Sequence, residues 1–157
     1  MPADSTVIMT ELVLPSDANT LGTAFGGKIM SWIDIAAGTA AGRHARQVVV
    51  TASFDAVHFL APVKVGQVLH IRATVNYVSR TSMEVGVRVD AEDLLTGKQT
   101  HTVSAYTTFV AINPKGKPIP VPPLNPVTAD ERRRYREAQH RRQSRIHLSE
   151  KIIAERK

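Results

Sequence analysis

Hydrophobic and polar residues alternate strictly along three stretches of the chain. Leu69, Ile71, Ala73, Val75 and Tyr77 stand against His70, Arg72, Thr74 and Asn76 in the first. Met83, Val85, Val87, Val89 and Ala91 oppose Glu84, Gly86, Arg88 and Asp90 in the second, and Val103, Ala105, Thr107, Phe109 and Ala111 alternate with Thr102, Ser104, Tyr106, Thr108 and Val110 in the third. A period of two over such lengths predicts antiparallel strands with one buried face. Turns at 79–82 and 96–98 would join them as a meander. Val7–Leu14 and Val48–Phe54, both rich in β-branched residues, predict two more strands. The stretch 55–66, with His58, Phe59 and Pro62, reads as a connection, and the residues before Val7 as disordered.

Between the first two strands the period changes to that of a helix, over 27–42 and ending near Gly42 or His44, with Gly42 as the stop. At 100° per residue, Phe25, Ile29, Trp32, Ile33, Ala36 and Ala40 form an apolar stripe that should face the sheet. Gly27, Met30, Asp34, Gly38 and Ala41 form a second stripe of mostly small residues, open to close approach. Two chemical features stand out. The Gly26-Gly27 pair lies at the helix start, where unpaired backbone N–H groups favour a negative or polarised oxygen. Asp34 is a lone carboxylate in the otherwise uncharged run from Ile29 to Gly42, and such a charge is costly unless partnered or functional. A single apolar helix among five strands predicts an α+β fold, the sheet wrapped round the helix. A second subunit is the simplest cover for the second stripe.

After the last strand, Asn113–Pro126 holds six of the nine prolines and reads as an extended strap. Thr128-Ala129-Asp130-Glu131 is a capping box, so a helix should begin there. The division this suggests is a body over 5–118, a proline-rich strap over 119–127 and a basic helix over 128–157. Charge divides in the same place: the net +6 splits into +1 for residues 1–127 and +5 for 128–157. The arginines 132, 133, 134, 136, 141, 142 and 145 are therefore read as a solvated, partly frayed helix. Nucleic acid is not an expected partner, because no reader-module pattern accompanies the charge.

At 157 residues and 43% hydrophobic content the chain is one ordinary globular domain. No 18-residue apolar run and no leader pattern is present, so neither a membrane span nor a signal peptide is expected. Cysteine is absent, the six histidines lack metal-ligand spacing, and no Gly-x-Ser-x-Gly elbow occurs. No metal or cofactor is expected.

Taken together, Asp17-Ala18-Asn19, Gly22, Phe25-Gly26-Gly27, Met30, Ile33-Asp34 and Ala37-Gly38 resemble the hotdog-fold acyl-CoA thioesterases, in particular the YciA and cytosolic (brain-type) acyl-CoA hydrolase group. Phe59-Leu60-Ala61-Pro62-Val63 with Gly66, Ser82-Met83-Glu84-Val85, Gly116-Lys117-Pro118, Pro120-Val121-Pro122 and Arg141-Arg142 extend the resemblance over most of the chain. It implies a hotdog fold and a cytoplasmic homodimer with sites at the subunit interface, often assembled into a trimer of dimers, a homohexamer. It implies Asp34 as the catalytic acidic residue, Asn19 as a second catalytic position acting across the interface, and the Gly26–Gly27 backbone as the group polarising the thioester carbonyl. Where some relatives carry asparagine, this chain has Thr23.

That chemistry suits a thioester, whose hydrolysis needs a base or nucleophile, an oxyanion stabiliser and an apolar slot. Asp34 can serve as either base or nucleophile. For the phosphates of coenzyme A, Arg80 in the 79–82 turn is the first candidate, with Thr81 and Ser82 beside it and Lys115 or Lys117 on the strap. His58 is a further substrate-contact candidate. The alternative function is a non-catalytic acyl-CoA-binding hotdog sensor, against which the presence of both Asn19 and Asp34 argues. A hotdog dehydratase is disfavoured, since related folds use a histidine near the helix start and this one begins Phe25-Gly26-Gly27-Lys28.

Overall fold

The computed structural model describes residues 1–156. Five antiparallel strands form one sheet in the order β1-β3-β4-β5-β2, with β1 Val7–Leu12, β2 Val48–Phe59, β3 Val68–Val78, β4 Ser82–Glu92 and β5 Gln99–Ile112. Helix α1 is a single turn, Pro2–Ser5; α2 is Gly26–Ala45 and α3 is Ala129–Glu155. α2 lies against one face of the sheet. Ile29, Ile33, Ala36, Ala37 and Ala40 are buried there against Leu69, Ile71, Val75, Val85, Val89 and Val103. The alternation read from the sequence is what makes this possible: each of the central strands sends every second side chain into the same core. No helix among the described residues is long and apolar enough to cross a membrane.

Several sequence expectations are corrected. The chain start is folded: Pro2 and Ser5 are buried, and the Ser5 hydroxyl accepts a hydrogen bond from Val75 N–H at 3.2 Å. α2 does not stop at Gly42; it closes on Arg46, which takes a left-handed conformation (φ 52°) and donates its N–H to the Gly42 carbonyl. Phe25 leaves the apolar stripe to become the exposed N-cap, whereas Ala41 from the second stripe is fully buried. β2 runs on to Phe59, so His58 lies in a strand rather than a loop. Tyr77 faces away from α2. An irregularity between Val75 and Tyr77 shifts the pairing so that Tyr77 opposes Glu84, and its ring stacks edge-on against Tyr135 of α3 at 5.0 Å.

The tail is only partly a solvated helix: residues 146–156 are exposed, but the earlier part is docked. α3 packs on the outer face of the sheet through charge-bearing side chains. Glu84, buried on β4, receives two hydrogen bonds from Arg141, at 2.7 and 3.1 Å, and that guanidinium stacks over the Tyr106 ring at 3.7 Å. Burial is the largest single influence on Arg141 and opposes its charge, but the bonds and charge of Glu84 outweigh it, so its pKa is raised. Arg145 pairs with Asp55, which also accepts bonds from Ser53 and Thr108. Burial lifts the Tyr135 hydroxyl above its ordinary pKa. The capping box forms as the sequence expects, with Thr128 accepting from Glu131 N–H while Glu131 accepts from the N–H groups of Thr128 and Val127. Those backbone donors hold the Glu131 carboxyl below its usual range. The strap delivers the chain to this face, with Leu124 buried and the Pro122 carbonyl 2.8 Å from His44 Nε2 at the end of α2.

Candidate functional site

Asp34 occupies the middle of α2, half-buried, on the side turned toward β2 at the edge of the sheet, in a row with Met30 and Gly38. Its Oδ1 accepts a 2.7 Å hydrogen bond from the hydroxyl of Thr51 on β2. Oδ2 has no hydrogen-bond partner among the described residues. Thr51 therefore fixes the carboxylate in one orientation and leaves its second oxygen open to the exterior. The sequence reading missed Thr51, for which the one available signal was a hydroxyl in the run Val48-Val49-Val50-Thr51.

The segment leading into α2 is a tightly bonded loop. Asp17 accepts from Leu14 N–H through Oδ2 and from Phe25 N–H through its carbonyl, and Lys28 Nζ sits 3.7 Å from its Oδ1. Asn19 organises the next turn: its Oδ1 accepts from the N–H groups of Leu21 and Thr23, and its Nδ2 lies 2.9 Å from the Thr23 hydroxyl. Thr23 is thus a direct partner of Asn19. At the helix start, Lys28 and Ile29 N–H both return to the Phe25 carbonyl. The N–H groups of Gly26 and Gly27 have no acceptor among the described residues. A Cβ at Gly27 would fall 2.7 Å from the Phe25 ring, and one at Gly26 would touch Phe59 at 3.5 Å. A cleft of about 230 Å³ opens beside them between Ala24, Ile29 and the segment Phe59–Val63.

These groups do not meet within one chain. Gly26 and Asp34 are eight residues apart on the same helix, or about 12 Å along its axis. Asn19 and Asp34 share no hydrogen bond among the described residues. The third set is more distant still. Thr81 bonds through its carbonyl to Ala111, which pairs with Val49 at the start of β2, whereas Gly26 adjoins Phe59 at its end. That separation is about 30 Å along the strand. Arg80 and Lys117 share the Thr81 end, because Val121 N–H bonds the Arg80 carbonyl and Pro118 bridges Ile112. His58 is removed altogether from the α2 side: it opposes Ser104, which opposes Arg88, so it belongs to the outer face of the sheet.

β2 is the sheet's edge, and its exposed Val48 and Val50, with the exposed Ile35 of α2, make the adjoining surface apolar. A long edge strand of this kind invites pairing with another chain.

The thioesterase superfamily profile matches residues 21–98. A Bacillus subtilis protein named an uncharacterized acyl-CoA thioester hydrolase, YkhA, is 43% identical over 128 residues, covering 82% of this chain and 74% of the relative. The crystal structure of an apo-hexameric acyl-CoA thioesterase superposes with a TM-score of 0.91 at 44% identity, covering 94% of this chain and 95% of that one. The Staphylococcus aureus acyl-CoA hydrolase in complex with butyryl coenzyme A and coenzyme A superposes with a TM-score of 0.87 at 37% identity, covering 98% and 95%. Alanine variants of that enzyme have been solved at an asparagine, an aspartate 15 residues further on and a threonine 17 beyond it.

Proposed function

Because this chain belongs to the thioesterase superfamily, among its acyl-CoA thioester hydrolases, we propose that it hydrolyses acyl-CoA to free acid and coenzyme A with Asp34 at the reacting carbon. The observation that carries this reading is the Asp34 carboxylate itself, held through one oxygen by Thr51 with the other left without a partner where α2 meets the β2 edge. Oδ2 takes a proton from water as it adds to the thioester carbonyl, or adds directly to give an anhydride that water then opens. Either route places negative charge on the former carbonyl oxygen. The free N–H groups of Gly26 and Gly27 suit that oxyanion, each such donor contributing about 3 kcal/mol. The thiolate of coenzyme A departs without a strong general acid. Asn19, Asp34 and Thr51 are spaced by 15 and 17 residues, the intervals of the three substituted positions in the S. aureus hydrolase.

A single carbonyl cannot lie within hydrogen-bond reach of both Asp34 and the Gly26–Gly27 turn of its own helix, given their separation of about 12 Å. Each site therefore takes Asp34 and Thr51 from one subunit and the Asn19–Gly27 segment from a second copy, docked where α2 meets the β2 edge. Arg80, Thr81, Ser82 and Lys117, at the far end of the same strand, are then free to meet the coenzyme phosphates. A trimer of such dimers is the full assembly in this reading, in keeping with the hexameric thioesterase it resembles. The cytoplasmic location rests on the resemblance to the cytosolic hydrolases.

The test is free-thiol release from a series of short to long acyl-CoAs by wild type and Asp34→Asn. Wild type should release thiol readily and the variant at least ~100-fold more slowly with its fold intact. Coenzyme A binding without release at any chain length would overturn hydrolysis and leave a ligand sensor.

A further inference from the structure

A groove of about 540 Å³ lies on the other side of the sheet, between α3 and the outer face. Its floor is a row that crosses the sheet: Arg72 on β3 opposes Arg88 on β4, which opposes Ser104 on β5. Like charges placed directly opposite on paired strands repel, so this juxtaposition needs compensation. Arg88 has it, bonding Asp90 at 3.0 and 3.1 Å, a contact that raises its pKa. Arg72 has no hydrogen-bond or ion-pair partner among the described residues. The helix side of the groove adds Arg133, Arg134 and Arg141, which are met by Asp130, Glu137 and Glu84. Five guanidiniums thus face four carboxylates, and the unmatched charge is at the floor. Room is made there by Gly86, where a Cβ would stand 2.4 Å from the Asn76 amide.

We propose that this groove is a binding site for a small phosphate- or pyrophosphate-bearing anion, separate from the hydrolytic site. Guanidinium forks match phosphate oxygens in pairs, and a guanidinium engaged with one carboxylate keeps N–H donors to spare. Arg72 approaches from the sheet and Arg134 from the helix; the Thr74 hydroxyl, shared with Thr6, and the Ser104 hydroxyl, shared with His101 Nε2, also line the groove. The volume exceeds what an inorganic ion fills and suits a molecule carrying the phosphate as one end. Asp34 and Thr51 lie on the α2 side of the sheet, so occupation of the groove does not require an acyl-CoA in the active site.

Inorganic pyrophosphate titrated calorimetrically into the full-length assembled protein at low ionic strength tests this. Saturable binding is expected in wild type, weakened at least ~10-fold in Arg72→Gln and again in Arg134→Gln, while KM for acyl-CoA in Arg72→Gln stays at the wild-type value. Arg72 is exposed, so its replacement does not threaten folding, and equal melting temperatures would verify that. Absence of binding in wild type, or binding by either variant equal to wild type, overturns the proposal. A KM that rises in step with the pyrophosphate Kd also overturns it, since the groove would then belong to the substrate site.

Discussion

Replacing Thr51 with valine removes one hydrogen bond and leaves the carboxylate in place. The Thr51 hydroxyl lies 2.7 Å from Asp34 Oδ1, a normal length for a charge-assisted bond. Hydrogen bonds to charged groups contribute about 1.5–3 kcal/mol. Asp34 is only half-buried, so water will replace part of what is lost, and about 1.5–2 kcal/mol is the working figure. If that energy serves to hold Oδ2 toward the reacting carbon, kcat for Thr51→Val should fall by roughly 10- to 30-fold. KM should stay near the wild-type value, because the hydroxyl is spent on the carboxylate and not on the substrate. Thr51→Ser keeps the oxygen and should recover most of the rate. Steady-state thiol release on one well-hydrolysed acyl-CoA is the assay. Wild-type turnover by Thr51→Val, or a loss confined to KM, would refute the orienting role.

Two further outcomes concern α3. Arg141→Met leaves Glu84 buried without its cation and should cost about 3–5 kcal/mol by urea unfolding, and adding Glu84→Gln should restore much of it; additive losses would mean that the pair is not coupled. Glu131 has a pKa lowered by the N–H groups of Thr128 and Val127, so the folded state binds its proton less readily than the unfolded chain. The stability this supplies is complete above the unfolded carboxyl value of about 4.3 and is lost as pH falls through the lower folded value. Acid titration followed through the Tyr77–Tyr135 near-ultraviolet signal should show loss of structure in that window, reduced in Glu131→Gln; identical profiles would remove Glu131 from the account.

Much of the fold is written in local periodicity. Strands β3, β4 and β5 follow from alternation, because a pleated strand can bury only every second side chain. The buried faces of α2 follow from the spacing of Ile29, Ile33, Ala36 and Ala40. The start of α3 follows from Thr128 and Glu131, which satisfy each other's backbone three residues apart. Asp34 could be singled out because a lone carboxylate in an apolar run is costly wherever the run folds. What local pattern could not reach are contacts between distant positions. Thr51 meets Asp34 across 17 residues, Arg141 meets Glu84 across 57 and Arg145 meets Asp55 across 90. Arg141 and Arg145 read as solvated until their partners are in place: Glu84 on the outer face of β4, and Asp55 in a stretch that read as a connection. The shift after Val75 that turns Tyr77 toward Tyr135, and the placement of His58 on the far face, arise from strand pairing. A one-residue slip in register reverses every side chain beyond it, and only the assembled sheet decides where such slips occur.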